Sequence, residues 1–540
     1  MVEGELVRMW NTVYLLPFGK PSMIRLFSFL LFLLATMLGV AQTGTTPGGK
    51  EPARIEILNA DRGEFDERIA PGAQRLKGNV RFKHKDAIMS SDSAYLYQDQ
   101  RVEAFGHVAI DQADTLHVQA DRCNYYGSQR TARLDGNVLL RNSDMELTTP
   151  SLDYDLRNHR AVYTNGGIII SKSGNNTLTS IVGTYLTDAR LFIFSRDVHL
   201  THPERTITAD TMHYETTSGV ASFFGPTEIV QLDKDGDSTQ NSVIHTTRGT
   251  YDTKNEKARF SKRSNILSKG RTLEGDSLHY DRKTGMGLAW GNVLVTDSSG
   301  EMTVKGDVGL YNELTERATI TGRSELLMIS EKDTLFLHAD TLFTMPDSSG
   351  KRILARRNVR FFRTDMQGVC DTLIYSESDS MIRMFHQPIL WSGTDQITGD
   401  HIRITLKDGT ADKLFVEKNA FLMSEVDTTG FDQVTGTDMT GYFGEDGLRS
   451  LLVEGNSRTL YYAKENKDGK ESIMGVNRAD CSRINVLLTD GKVTTVTFLD
   501  RPDAILYPLE KVPPDELRMK GSDWHVEKRP LDRTGIFLEK

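Results

Sequence analysis

Cysteine is scarce in this chain, and its scarcity excludes one class of exported protein. The 540 residues contain three cysteines, Cys123, Cys370 and Cys481, which lie far apart and show no C-x-x-C spacing. Small secreted domains that depend on disulfides are far richer in cysteine. We therefore interpret the three as small buried hydrophobic residues, with one disulfide left open as an alternative.

Clustered basic charge is also missing, and long apolar runs are almost absent. Lys and Arg number 65 against 74 Asp and Glu, which gives a net charge of −9, and no basic stripe stands out. Binding to a phosphate backbone needs clustered positive charge, so nucleic acid is not a predicted partner. One stretch alone is long and apolar, and it lies near the start of the chain.

That stretch has the layout of a secretory signal peptide. Arg25 directly precedes an apolar run at residues 26–40, and small residues precede a cleavage site after Ala41. The run is shorter than the roughly 20 residues that a membrane-spanning helix needs. We predict a signal region at residues 1–41 whose true start is Met23, then a linker at 42–53 and an exported mature protein. An uncleaved membrane anchor is the alternative.

The remainder of the chain is a repeat. Segments aligned on the pattern Asp-x-x-x-Tyr place tyrosines at steps of 29, 31 and 29 residues from Tyr125 onward. A fixed period of this size is typical of architectures in which each unit buries its apolar face against its neighbours. Leu96, Thr344, Ile404 and Ile484 take the aromatic place in less regular copies. The aromatic positions are Tyr125, Tyr154, Tyr185, Tyr214, Tyr251, Tyr280, Tyr311, Tyr375 and Tyr442.

Within each unit the apolar residues alternate with polar ones. In RTITADTMHY, Ile207 and Ala209 alternate with Thr206 and Thr208. A period of two in segments rich in Val, Ile, Thr and Tyr predicts β-strands. Turn residues follow every 10 to 15 positions, a spacing that suits antiparallel hairpins better than parallel crossovers. We predict an all-β fold of about 25 antiparallel strands, built from repeats of about 30 residues.

A glycine precedes the apolar pair of many units. Glycine inside a strand pattern indicates a bulge or bend, so glycines at equal intervals predict a sheet folded along one crease. The glycines are Gly78, Gly106, Gly136, Gly166 and Gly291. The apolar residues after them are predicted to line the inside of a long trough. They are Val80, Phe82, Val108, Ile110, Val138, Leu140, Ile168, Ile170, Val198, Leu200, Val293, Val295, Val359 and Phe361.

These residues resemble a known family. "GNVLLRNSDMELTTPSLDY", "DVHLTHPERTITADTMHY" and "GNVRFKHKDAIMSSDSAYLY" are similar to the recurrent signature of the OstA/LptA-like proteins of Gram-negative bacteria. The resemblance covers most of residues 54–500. It implies an elongated open antiparallel β-jellyroll in the periplasm, a role in outer-membrane biogenesis, and an apolar groove that carries the acyl chains of lipopolysaccharide or a related lipid.

The same resemblance implies partners and a modular organisation. Other lipopolysaccharide-transport components would bind at edge strands by β-augmentation, and head-to-tail self-association is a further option. Because a family module is much shorter than this chain, several modules are predicted in tandem. They are an OstA-like module 1 at 54–232, a module 2 at 233–430, terminal β repeats at 431–505 and a C-terminal extension at 506–540.

The sequence gives only weak support for a metal site or a catalytic site. "DKDGDS" at residues 233–238 imitates a calcium loop, but position 12 is Ile244, so we interpret it as a hydrophilic insertion. His199 and His202 are interpreted as a solvent-facing pair, not as metal ligands. The recurring Asp is interpreted as a strand-end or outward polar position, represented by Asp210, Asp276, Asp307, Asp340, Asp371 and Asp400. No catalytic residue, metal or cofactor is predicted.

Two other readings compete with a lipid conduit. A right-handed β-helix that acts on polysaccharide would be an enzyme, whereas we predict that this protein is not one. A structural or adhesive solenoid would have its trough filled by large side chains and would hold no lipid. The contents of the trough therefore separate the hypotheses.

Overall fold

The computed structural model describes residues 54–69, 71–112, 116–172, 175–232, 241–330, 333–426, 430–444, 447–467, 470–489 and 492–537. The predicted signal region, the linker at 42–53 and the loop at 233–238 lie outside these residues. The described chain forms one sheet of 36 strands.

The first half of the sheet runs through strands β1 to β18. They are β1 Glu56–Asn59, β2 Arg62–Phe65, β3 Ala73–His84, β4 Ala87–Tyr97, β5 Arg101–Gln112, β6 Leu116–Tyr126, β7 Thr131–Arg141, β8 Met145–Asp155, β9 Arg160–Tyr163, β10 Gly167–Ser171, β11 Thr177–Ser180, β12 Val182–Leu186, β13 Leu191–His202, β14 Arg205–Glu215, β15 Val220–Gln231, β16 Ser242–Asp252, β17 Lys257–Phe260 and β18 Ser264–Ser268.

The second half runs through strands β19 to β36. They are β19 Arg271–Gly275, β20 Ser277–Asp281, β21 Met286–Thr296, β22 Met302–Asn312, β23 Arg317–Ile329, β24 Thr334–Asp347, β25 Gly350–Phe362, β26 Gln367–Ser376, β27 Met381–Phe385, β28 Ile389–Ser392, β29 Asp395–Thr398, β30 His401–Lys407, β31 Thr410–Glu425, β32 Phe431–Gly444, β33 Gly447–Lys467, β34 Lys470–Thr489, β35 Lys492–Leu499 and β36 Asp503–Pro508.

The all-β class and the antiparallel pairing predicted from the sequence are confirmed. Strands that cross the sheet one after the other pair antiparallel, as β6 does with β7 and β7 with β8. We call each passage of the chain across the folded sheet a rung. Several rungs consist of two short strands that continue each other, such as β9 with β10, because the strand is interrupted at the crease. A right-handed β-helix is built from parallel strands, so that alternative is wrong for the described residues.

Helical structure in the described chain is limited to short 3-10 turns. They are Glu377–Asp379, Leu509–Lys511, Pro514–Glu516, Val526–Lys528 and Thr534–Phe537. None of the described helical segments has the length and apolarity to cross a bilayer.

Residues 509–537, here called the C-terminal strap, lie across the outer face of the sheet. Four side chains of the sheet hold the strap, in an order that reverses their order in the sequence: Gln433, Gln396, Gln367 and Glu325. The amides of Gln433 and Gln396 each donate to a strap carbonyl, at 3.1 and 2.7 Å, and each accept from a strap N–H, at 2.8 and 2.7 Å. These bonds satisfy buried backbone groups that have no strand partner.

The far end of the strap is fixed by charge. Arg533 Nε and Nη2 donate to the two carboxylate oxygens of Glu325 at 2.7 and 2.8 Å, a bidentate pair whose carboxylate is 6% exposed. A second, small hydrophobic cluster lies near the other end of the strap. Its buried members are Phe421, Met423, Leu460, Tyr462, Val476 and Met519.

Candidate functional site

The inner face of the folded sheet is apolar from β3 to β35. Alternate residues of both halves of each rung join a single hydrophobic cluster, because side chains of a strand point to opposite faces in turn. Of the positions predicted to face the trough, Leu200 is half-buried and packs against that cluster. The buried ones, each at most 9% exposed, are Val80, Phe82, Val108, Ile110, Val138, Leu140, Val198, Val293, Val295, Val359 and Phe361. Whether these residues line a lipid site remains a prediction.

Two of the predicted inward residues face outward. Ile168 and Ile170 are 47% and 49% exposed, whereas Ile169 between them is 8% exposed. The alignment put Gly166 level with Gly136, but the break between β9 and β10 shifts the phase by one residue. The buried position after the crease is therefore Gly167 instead of Ile168. A one-residue slip moves a whole strand to the other face.

The crease is a repeated β-bulge, as predicted at the glycines. In β7 the register shifts between Asp135 and Val138, and the two intervening residues, Gly136 and Asn137, have φ of 81° and 44°. Bulges of this kind bend a strand and increase its twist. The same shift occurs at the predicted glycines of β3, β5 and β21, so it folds the sheet at one level.

The recurring aspartate belongs to this crease. Asn137 Nδ2 donates to Asp121 Oδ2 at 2.9 Å, and a Cβ on Gly136 would lie 2.4 Å from the same oxygen. Corresponding Asn–Asp bonds are formed by Asn292 with Asp276, Asn358 with Asp340 and Asn419 with Asp400. These carboxylates lie at the middle of their rungs, so the strand-end alternative predicted for the recurring Asp is wrong. The outward polar alternative is confirmed, because Asp340 is half-buried and the others are exposed, namely Asp210, Asp276, Asp307, Asp371 and Asp400.

Folding at the crease brings the two rows of turns together. One row follows the tyrosine-bearing strand ends and is here called the tyrosine edge. The other row, here called the facing edge, is marked by His84, Gln112 and Asn142. Hydrogen bonds between the rows close the trough. They join Tyr125 with His84 at 2.6 Å, Tyr154 with Gln112, Tyr185 with Asn142 at 3.4 Å, and Tyr251 with Arg205.

These bridges explain why the repeat carries tyrosine. A tyrosine ring can pack in the apolar interior while its hydroxyl reaches a polar partner. Burial raises the pKa of Tyr125 to about 12, so the hydroxyl stays protonated at neutral pH. Four of the recurring tyrosines bridge to the facing edge in this way, and none of the described ring contacts stacks one recurring tyrosine on another.

A carboxylate takes part in the closure near the middle of the chain. Glu313, at the tyrosine edge, accepts hydrogen bonds from Tyr280 at 2.5 Å, Ser268 at 2.6 Å and Ser242 at 2.9 Å. Burial opposes its ionisation, but these hydroxyl donors outweigh burial and lower the pKa of Glu313. Ion pairs close neighbouring positions, such as Lys351 with Asp297 at 2.9 Å.

The interior is packed. The cavity bounded by Phe82, Met89, Ile110 and Tyr125 has a volume of about 10 Å³, close to the smallest space that holds one water molecule. An acyl chain has no room beside it unless the walls move apart. A larger concavity of about 560 Å³ is lined by polar residues, among them Glu228, His245 and Arg263, so it is not a continuation of the apolar interior.

The remaining predicted residues form no common site. His199 bonds Asp197 at 2.8 Å, while His202 accepts from the backbone N–H of Glu204 at 3.1 Å. Among the residues that the structure describes, no three His, Cys, Asp or Glu side chains are grouped as metal ligands. All three cysteines are free thiols, two of them buried, and burial raises the pKa of Cys123 to about 12.

Sequence reasoning missed the most perturbed carboxylates. Asp395, 0% exposed, is the first residue of β29, and Asp432 is the second residue of the nearby β32. Burial raises the pKa of Asp395 to about 7 and that of Asp432 to about 6. Neither belongs to the crease motif, and alternation alone gives no sign that a polar residue at a strand end is buried.

A creased antiparallel sheet with an apolar interior and polar bridges along its opening defines a β-jellyroll of the folded-sheet type. Residues 52–210 match the family model described as OstA-like protein. No curated protein matches the chain.

Among solved structures, the chain is similar to LptH from Pseudomonas aeruginosa, described as the LptA-homologous periplasmic component of the lipopolysaccharide transport device. The identity is 14%, the TM-score is 0.19, and the match covers 20% of this chain and 81% of that chain. A similarity this low carries no further argument.

Proposed function

We propose that this protein is an exported periplasmic lipid conduit that takes part in lipopolysaccharide transport by holding acyl chains between the walls of the folded sheet. The observation that carries the proposal is the single apolar interior that both walls line along the sheet. Each methylene kept from water contributes about 0.8 kcal/mol, so a groove of this chemistry fits a long alkyl chain.

Because the interior is closed, the two walls must separate before a lipid can bind, and this separation costs free energy. A chain that lies between the walls replaces wall-to-wall apolar contact with wall-to-chain contact, so little apolar surface becomes exposed. What is lost is the line of bridges, each of them worth about 1 kcal/mol. Hydrogen bonds between Tyr and a polar residue can open and close again without rearranging the strands.

The edges of the sheet support the proposed partners. β1 and β2 leave Ile57, Leu58 and Phe65 exposed at 41%, 47% and 62%, and β36 leaves Ile505 and Leu506 exposed at 54% and 47%. Unpaired edges of this kind can accept a strand from another chain. We propose that other transport components, or a second copy, pair there. The module boundaries at 232 and 430 remain predictions.

A second candidate is supported by one observation. The packed interior fits a structural or adhesive solenoid, in which large side chains fill the trough and no lipid binds. The experiment that separates the two is native mass spectrometry of the protein purified without detergent. An adduct with the mass of an acylated lipid supports the conduit, and a bare protein that also takes up no added lipid supports the solenoid.

Photo-crosslinking gives the test in cells. A diazirine side chain at Leu200 or Val293 should label lipopolysaccharide, whereas the same group at the exposed Thr208 should not. Equal labelling at inner and outer positions would contradict the proposal, because it would indicate contact with the outside of the sheet.

A further inference from the structure

The bridges along the opening are interrupted at Tyr214. Tyr125, Tyr154, Tyr185 and Tyr251 are each bonded to the facing edge and are at most 7% exposed. Tyr214 occupies the same place in β14 and is half-buried, but its hydroxyl makes no hydrogen bond to any residue that the structure describes. Of the recurring tyrosines from Tyr125 to Tyr280, Tyr214 is therefore the one without a bridge among the described residues. Further along, the hydroxyl of Tyr311 also has no partner there, but that tyrosine is only 9% exposed.

The facing edge is also less covered at this point. The spacing of the bonded pairs places Tyr214 opposite the facing-edge ends of the paired strands β10 and β11. There, Leu178 of β11 pairs with Leu200 of β13. Leu200 is half-buried, while its counterparts in other rungs, Leu140 and Ile229, are 0% and 1% exposed. Apolar surface continuous with the interior therefore reaches solvent here.

We propose that acyl chains enter the trough sideways through this interruption, bounded by Leu178, Leu200 and Tyr214. This inference rests on the proposed function and names the place where the ligand crosses the wall. The occupant is the alkyl chain of a lipid. A chain that enters here breaks no bridge at the first step, because the described residues form none between Tyr214 and the facing edge.

A second part of the opening also has half-buried apolar residues, but there the C-terminal strap braces the outer face of the sheet. Met328, Leu335 and Tyr375 are also half-buried, but the C-terminal strap crosses these strands. Arg533 binds Glu325 of β23, and Phe537 packs on His338 of β24 with ring centroids 4.9 Å apart. Arg363 Nη1 also donates to the Gly409 carbonyl of the tyrosine edge at 3.0 Å. Among the described residues, no hydrogen bond, ion pair or ring contact joins the strap to the strands around Tyr214.

The test measures how fast a fluorescent fatty acid binds when this gap is blocked. The probe is cis-parinaric acid, mixed by stopped flow with the full chain in a Cys481→Ser background. Tyr214→Cys carries a bulky maleimide in one sample, and Tyr442→Cys, at a tyrosine 45% exposed, carries it in the control. We expect the association rate to fall at least tenfold for the first and to stay within twofold for the control.

Leu200→Cys with the same label is the second variant, in case the first is unstable, and should slow binding equally. Unchanged rates for both labelled variants, or slowing only with a label at Met328→Cys, would overturn the lateral opening while leaving lipid binding intact. Failure of every variant, including the unlabelled protein, to bind the probe would instead overturn the proposed function.

Discussion

Asn137 donates its side-chain amide to the carboxylate of Asp121 at 2.9 Å, directly above the missing side chain of Gly136. The three residues come from adjacent strands and fix the angle at which the sheet folds. The crease therefore depends on a backbone conformation and on a polar lock, both repeated along the chain.

Gly136→Ala should destabilise the fold at the crease. The change places a Cβ at a φ of 81° and 2.4 Å from Asp121 Oδ2, so we expect a loss of about 2–3 kcal/mol. Gly300→Ala is the matched control, because Gly300 has a φ of 74° but nothing within 4 Å. Urea unfolding of both variants gives the comparison. Equal losses of stability in the two variants would mean that a clash with Asp121 does not contribute to the effect.

Much of this crease could be predicted from the sequence, and its cause could not. Glycine at equal intervals predicts the bulge, and alternation predicts which residues face inward, since Val138 and Leu140 are buried as expected. The partner of Asn137 lies one strand earlier, at a separation that no period-two pattern shows. The phase also fails at Ile168 because a broken rung shifts the register by one residue.

The packed interior and the strap are likewise hidden from sequence patterns. An apolar inner face has the same alternation whether the walls touch or leave a channel, so an open trough could not be told from a closed one. The strap is held by Gln433, Gln396 and Gln367, which read as ordinary polar positions on an outer face. Their burial follows from a segment more than 80 residues away.

Glu313→Gln should weaken the protein most at neutral pH. The folded state lowers the pKa of Glu313, so its ionised form contributes stability above the unfolded pKa, and that stability is lost as pH falls through the folded value. We expect a cost of about 1–3 kcal/mol at pH 7. The cost should shrink toward pH 4 in urea unfolding at both pH values. A constant difference would show that the charge of Glu313 does not matter.

Asp395→Asn should have the opposite pH dependence. Burial raises the pKa of Asp395 to about 7, so the folded state binds a proton that the unfolded state releases, and stability falls as pH rises from about 4 to 7. The neutral amide removes this loss. We expect the variant to gain stability relative to wild type at pH 8, by up to about 4 kcal/mol, and to differ little at pH 4. Asp188→Asn, at a side chain 77% exposed, is the control.

Arg533→Ala should release the far end of the strap. In its bidentate pair with Glu325, the carboxylate is largely buried. A buried carboxylate that has lost its partner lowers the stability of the folded state. Hydrogen exchange should rise at residues 526–537, while the crease around Gly136 stays protected. Lys528→Ala, a change at an exposed strap residue, should leave exchange unaltered. Equal protection in wild type and Arg533→Ala would show that the Gln contacts hold the strap alone.

Val138→Asp and Ile168→Asp should separate the two faces of the sheet. Val138 is 0% exposed and Ile168 is 47% exposed, although both were predicted to face inward. A carboxylate at Val138 lies in the apolar interior without a partner, so we expect a loss of several kcal/mol and poor folding. Ile168→Asp should stay within about 0.5 kcal/mol of wild type.

Urea unfolding of the two variants decides between a closed and an open interior. If the trough were open and wet in solution, Val138→Asp would fold normally and would fail only in lipid binding. A mild effect at Val138 would thus argue that the walls stand apart most of the time, and the bridges at Tyr125 and Tyr154 would then be minor contacts instead of a closure.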